Sequence, residues 1–200
     1  MSRILRQVRK QIQRCDKCRL ARTRTNTVPG EGPKDAEVAF VGEAPGYNED
    51  REGRPFVGKA GKLLDKLLRS VQISRKDVWI GNVIKCRPPN NRSPHVDELR
   101  ACEPYLDLQL REISPKVVCT LGRYATEHFL GDIKISEVHG TPFNAGRFVV
   151  FPLFHPAAAL RSKNVKRELQ EDFRKITDLL NGDLKAEEVK NQDENQISLF

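Results

Sequence analysis

Short apolar runs alternate with longer amphipathic stretches along most of this chain. Glu37-Val-Ala-Phe-Val41 is an almost unbroken apolar run closed by Gly42, the pattern of a strand buried on both faces. Residues 58–70 place leucine at 63, 64, 67 and 68, an apolar stripe along one side of a helix. The alternation continues with strands predicted over 78–84, 116–121 and 147–154. Helices are predicted from Ser93-Pro94 to about Ile113, over 123–130 and over 165–180. Ser93 suits a helix cap and Pro94 a first helical turn. A further helix over 2–13 sets Ile4, Leu5, Val8 and Ile12 near one face, and residues 20–36 read as a loop. Strands separated by helices at this spacing predict an α/β fold with a parallel sheet covered on both faces. Residues 1–181 are read as one domain and residues 182–200 as a polar, flexible tail.

Three strands end in unusual segments: Gly42-Glu-Ala-Pro-Gly46, Asn82-Val-Ile-Lys-Cys-Arg-Pro-Pro89 and Phe154-His-Pro-Ala-Ala-Ala-Leu160. The carboxyl ends of parallel strands share one rim, where ligands bind in open α/β folds. These segments are therefore expected to form one site. Glycine lets a ligand approach the backbone closely, and Pro45 fixes the first turn.

Charge adds a partner. The 200 residues carry a net charge of +8, unevenly spread. Residues 1–24 hold nine Lys/Arg against Asp16 alone, while residues 183–200 carry a net −3. A basic arm on a nearly neutral body suits a polyanion such as nucleic acid, and equally a solvated amphipathic helix. No apolar run reaches the length of a membrane span, and the first residues lack the apolar core of a signal peptide, so a cytoplasmic, nucleoid-associated protein is expected.

Cys15 and Cys18 form a CxxC, Cys86 follows the second strand, and Cys102 falls in the next helix. Four thiols outside an oxidising compartment suit one metal centre. Both zinc and a [4Fe–4S] cluster accept four thiolates, and a single CxxC leans only slightly to iron–sulfur. Cys119, inside an apolar strand, reads as a small buried hydrophobe. Gly53-Arg-Pro-Phe-Val-Gly58-Lys59-Ala60 mimics a P-loop but lacks its final hydroxyl and its preceding strand, so nucleotide hydrolysis is not expected. The helix beginning near Gly58 still offers its N-terminus to a DNA phosphate.

Taken together, GEAPGxxED, GRPFVGKAG, NVIKCRPPNNR, HPAAAL and the four cysteines resemble the family 4, iron–sulfur uracil-DNA glycosylases, from about Cys15 to Leu180. The resemblance implies a three-layer α/β/α sandwich on a four-stranded parallel sheet, and a [4Fe–4S] cluster on Cys15, Cys18, Cys86 and Cys102. It implies hydrolysis of the bond between uracil and deoxyribose in single- and double-stranded DNA, the opening step of base excision repair.

The residue types suit that chemistry. A base must leave the stack and be read in a pocket. Phe56 is the expected stacking platform. Asn82 supplies a donor and an acceptor for uracil O4 and N3–H. Backbone groups of Gly42, Glu43, Ala44 and Gly46 line the pocket. His155 is expected to stabilise negative charge on uracil O2. Glu49 resembles the family's pocket carboxylate, which crowds out the thymine methyl and helps to place water. Many relatives in the wider superfamily carry Asp where this chain has Ala44, so little general-base help is expected. Lys59, Arg87, Leu160 and Arg161 are expected to meet DNA. The intercalating wedge is either Leu160 or Arg161, because the matching position is Ala159. The chain has no KRRIH-like insertion, so turnover without a stable adduct is expected.

The last residues, with Gln196, Leu199 and Phe200, resemble a shortened sliding-clamp-binding peptide, which together with iron–sulfur chemistry hints at an archaeal source. A monomer is expected. The competing reading is a non-catalytic nucleic-acid-binding module with a structural metal. It shares the basic arm and the cysteines, but gives no reason for Phe56, Asn82 and His155 to meet at one rim. His95, His128 and His139 have no expected functional role.

Overall fold

The apolar runs become the strands of one sheet in a computed structural model that describes residues 2–188. The strands are β1 (Val38–Gly42), β2 (Trp79–Asn82), β3 (Val117–Leu121), β4 (Phe143–Asn144), β5 (Val149–Leu153) and β6 (Glu187–Glu188), in the order β2-β1-β3-β5-β4-β6. The four-stranded parallel sheet is present as β2-β1-β3-β5. The sheet is nonetheless six-stranded and mixed, because β4 runs antiparallel to β5 and carries β6 on its other side. Gly146, at φ 80°, turns the chain between β4 and β5, and Ala145 N–H donates to Phe148 O at 3.1 Å. A two-residue strand is too short to show a hydrophobic period, so neither β4 nor β6 was legible. β6 lies within the stretch expected as tail. Gln196, Leu199 and Phe200 lie outside the described residues.

The helices are α1 (Arg3–Gln13), α2 (Tyr47–Glu52), α3 (Lys59–Ser70), α4 (Val96–Ile113), α5 (Arg123–Leu130), α6 (Ile135–Val138), α7 (Pro156–Ala159) and α8 (Lys163–Asn181). Alternate residues of β1 feed opposite layers, as its pleat requires. Val38 and Phe40 pack with Leu64 and Leu68 of α3 and Phe173 of α8. Phe40 stacks on Phe173 with ring centres 5.7 Å apart. Ala39 and Val41 pack with Leu106 and Leu110 of α4 and Phe129 of α5. These two layers are the expected sandwich.

Two local expectations shift. Ile4 is exposed, while Leu5, Val8 and Ile12 bury the inner face of α1. The helix expected to start at Ser93-Pro94 starts at Val96. Glu98 accepts from His95 N–H at 2.9 Å and takes both Arg92 nitrogens at 2.8 and 2.6 Å, so the cap is built from Glu98 backwards. Among the described residues no helix is long and apolar enough to cross a membrane.

Candidate active site and thiol cavity

Parallel pairing makes β1, β2 and β5 finish at one edge, and the chain beyond them encloses a cavity of about 450 Å³. Glu43, Ala44, Pro45 and Gly46 form one wall, Phe56 and Ala60 a second, and Asn82, His155, Ala157 and Arg161 the others. The expected residues Glu43, Ala44, Gly46, Glu49, Phe56, Asn82, His155 and Arg161 thus meet in one place.

Gly42, expected in the pocket lining, instead lies behind it at the end of β1. A β-carbon there would lie 2.5 Å from Asn82 Oδ1 and 2.7 Å from the Phe56 ring. Only glycine lets both side chains close over the strand end. Phe56 sits at φ 49°, uncommon for a bulky residue. Arg75 holds it there, donating to Pro55 O at 2.6 Å and Phe56 O at 3.1 Å, while Asp65 and Glu31 anchor the guanidinium at 2.9 Å each. Gly61 leaves room for the Phe56 carbonyl.

His155 is fixed in one protonation state. Burial pushes its pKa down to about 4, against the opposing pull of Glu49. At neutral pH the ring is therefore uncharged. Its Nδ1 accepts from Ala157 N–H at 3.0 Å, which leaves the single proton on Nε2. The ring lies 5.7 Å from that of Phe56, with 30° between their planes. Gly122, at φ 87°, backs the histidine, and a β-carbon there would come within 2.9 Å of His155 Cβ.

Asn82 contributes the complementary signal. Its Oδ1 is buried and has no hydrogen-bond partner among the described residues. An unpaired buried acceptor costs about 1–3 kcal/mol, so it marks a place where a donor binds. Glu49 is differently committed. Its Oε1 accepts from Val57 N–H at 2.9 Å and Gly58 N–H at 2.8 Å, at the start of α3. The protein's own carboxylate therefore stands at the positive helix end where a DNA phosphate was expected. Neighbouring Asp50 is buried and turned away, accepting from Thr25 N–H at 2.9 Å. Glu43 is the other carboxyl on the cavity, and burial raises its pKa despite Arg123.

Three expected DNA-facing residues stand outside the cavity. Arg87 stacks over the exposed Tyr47 ring at 5.2 Å. Lys59 and Leu160 line a separate groove. Leu160 is 51% exposed while Ala159 is buried, so the leucine projects from α7. Pro88 belongs to a segment expected at the rim, whereas Asn91, Arg92 and Ser93, which also close the cavity, had been given no role in the site. Their Pro- and Asn-rich run was the available signal. Sequence reasoning also missed Arg75, for which no local signal exists.

Cys15, Cys18, Cys86 and Cys102 line one cavity on the far side of the segment after β2. Arg24 Nη1 donates to Cys86 Sγ at 3.1 Å and Nη2 to Cys15 O at 2.7 Å; Lys85 N–H donates to Cys102 Sγ at 3.2 Å. Arg24 therefore serves the thiols, although its charge had been counted with the basic arm. Burial raises the Cys18 and Cys86 pKa values and pushes that of Cys102 up to about 12. Four convergent thiols with N–H donors aimed at two of them are a donor set that fits a cluster, since such donors offset thiolate charge. Among the described residues, no group of three or more His, Cys, Asp or Glu is drawn together closely enough to hold a single ion.

The fold is thus an α/β sandwich whose strand-end rim carries a cavity lined by an aromatic ring, a carboxamide and an imidazole. Residues 29–180 match the uracil DNA glycosylase superfamily. The type-4 uracil-DNA glycosylase of Sulfurisphaera tokodaii is 48% identical over 185 residues, covering 88% of this chain and 84% of the relative. That of Archaeoglobus fulgidus is 46% identical, covering 85% and 90%, and that of Thermotoga maritima 45%, covering 84% and 90%. The chain belongs to the type-4 uracil-DNA glycosylases.

Proposed function

We propose that this chain hydrolyses the N-glycosidic bond of deoxyuridine in DNA, releasing uracil and leaving an abasic site. The observation that carries this reading is the pairing, in one cavity, of an unpartnered buried acceptor with a neutral imidazole donor. Asn82 Oδ1 accepts from uracil N3–H. Cytosine has no proton on N3 and is refused. Phe56 stacks against the extruded ring. As the bond from C1′ to N1 breaks, its electron pair passes to the uracil ring, and His155 Nε2–H stabilises the charge arriving on O2. Water adds to C1′, and its proton passes through solvent to uracil N1, so that free uracil results. Ala44 offers no carboxylate, and one oxygen of Glu49 is held by two backbone N–H groups, so leaving-group stabilisation carries the reaction. Glu49 shapes the pocket wall and keeps α3 in place.

Cys15, Cys18, Cys86 and Cys102 hold a [4Fe–4S] cluster in this reading. When bound, it cross-links the segment after α1 to the segment after β2 and supplies no step of the hydrolysis. The sequence pattern alone supports a sliding-clamp tether through Gln196, Leu199 and Phe200; deleting residues 196–200 is expected to abolish clamp capture and to spare catalysis.

The test is strand cleavage by alkali after incubation with DNA containing uracil, thymine or cytosine at one position, as single strand and as duplex. Cleavage confined to uracil is expected. No cleavage of any of them favours the non-catalytic binding module. A brown purified protein is expected for iron–sulfur, a colourless one for zinc.

A further inference from the structure

A second depression lies next to the cavity, across a ridge made by the start of α3 and by α7. Ala60, Ala157 and Arg161 face the cavity, whereas Lys59, Lys62, Lys66, Leu160 and Lys166 face this groove. Its volume is about 370 Å³. The remaining lining is Leu63, Leu67, Ser70 and Gln170, so no carboxylate faces the four lysines. Lys59, Lys62, Lys66 and Lys166 are all exposed, and none has a side-chain hydrogen bond or ion pair among the described residues.

Several other surface cations are neutralised. Arg19, Arg54, Arg92, Lys116 and Lys134 each meet a carboxylate. Four unneutralised ammonium groups around one groove repel one another, and an anion spread along the groove relieves that repulsion. Lys59, Lys62 and Lys66 follow the three- and four-residue spacing of one helix face and span about 10 Å of helix axis. That matches about three steps of a DNA strand at ~3.4 Å each. Leu160, in the groove, is followed in the chain by Arg161, in the cavity.

We propose that this groove takes the phosphate backbone of the undamaged partner strand, and so makes the chain grip duplex DNA more strongly than a single strand. The proposal rests on the uracil-excision reading. The uracil-bearing strand enters the cavity on one side of the ridge. Leu160 occupies the stack vacated by the base. Beyond the leucine lies the base that had paired with uracil, and the phosphates of its strand fall to the lysines. A single strand that ends its path in the cavity does not reach them.

The experiment replaces Lys62, Lys66 and Lys166 together by glutamine and measures binding between 50 and 200 mM salt. The probes are oligonucleotides with one 2′-fluoro-deoxyuridine, whose electron-poor sugar resists cleavage, as single strand and as duplex opposite guanine. Each phosphate contact contributes about 0.9 to the slope of log affinity against log salt on duplex DNA. The substituted chain is expected to lose about 2–3 from its duplex slope and less than 1 from its single-strand slope. An unchanged duplex slope overturns the proposal, as does equal flattening on both probes. Uracil release from an ordinary single strand is measured on the unaltered chain in the same series. Release together with equal slopes sinks the groove alone, whereas absence of release is the failure of the glycosylase reading.

Discussion

The cavity at the rim of the sheet and the thiol cavity behind it share one stretch of chain, Asn82 to Cys86, and treat their polar groups in opposite ways. At the front, Asn82 Oδ1 is buried without a partner, and the His155 proton sits on the nitrogen not engaged by Ala157. At the back, Cys86 and Cys102 each receive an N–H donor, and the buried Lys85 ammonium donates to Asn82 O at 2.7 Å. Groups left unpaired at a cost mark where a passing ligand binds. Groups already supplied with donors mark a site that stays assembled. In the proposed reading the front does the chemistry and the back holds Asn82 in place.

The comparison is broken most readily at the front. His155→Ala is expected to slow single-turnover uracil release by about 10²–10³-fold, the usual cost of one donor to a developing anion, with the folded structure retained. Asn82→Ala comes next, at about 10–100-fold, corresponding to ~1–3 kcal/mol for one buried hydrogen bond. It should narrow the preference for uracil over cytosine as well. If either variant melts early and keeps its rate when folded, the front is scaffold and the distinction fails.

At the back the expected loss is of stability. Arg24→Met leaves Cys86 Sγ and Cys15 O without their donor, and should lower unfolding free energy by about 1–3 kcal/mol in a urea titration. The single-turnover rate of the folded fraction should hold. A slower rate at unchanged stability would move the thiol cavity into the chemistry.

Much of this division was legible in the sequence. Strands buried on both faces and leucine-striped helices write their period plainly, so the parallel core of the sheet followed. The rim followed because strand ends in a parallel sheet converge, which put Phe56, Asn82 and His155 together from their places after strands and turns. What escaped was non-local. Arg75 reaches back about twenty residues to hold Phe56, and Arg24 reaches across sixty-two to Cys86. No local pattern distinguishes such an arginine from one that faces water. The contacts of Glu49 with Val57 and Gly58 escaped for a related reason: only the fold shows the start of α3 arriving at its carboxylate.

Glu49→Gln should therefore have a small effect, less than about tenfold on the rate. A glutamine Oε1 still accepts from Val57 and Gly58, and the lost charge at the helix start is worth only about 0.3–1 kcal/mol. A loss as large as that of His155→Ala would instead make Glu49 a general base.

The smallest expected effect is the most telling. An unfolded chain takes up a proton on its histidine near pH 6.5. The folded chain does not do so at His155 until about pH 4. Between those values the unfolded state binds more protons, so the stability contributed by the neutral ring falls as pH drops from about 6.5 towards 4. The chemistry follows the folded value. With bound DNA in excess, the single-turnover rate should stay level from pH 8 to about 5 and decline only on the approach to 4. A step centred near 6.5 and removed by His155→Ala would show a ring that titrates as in water, and would contradict the neutral donor on which this mechanism stands.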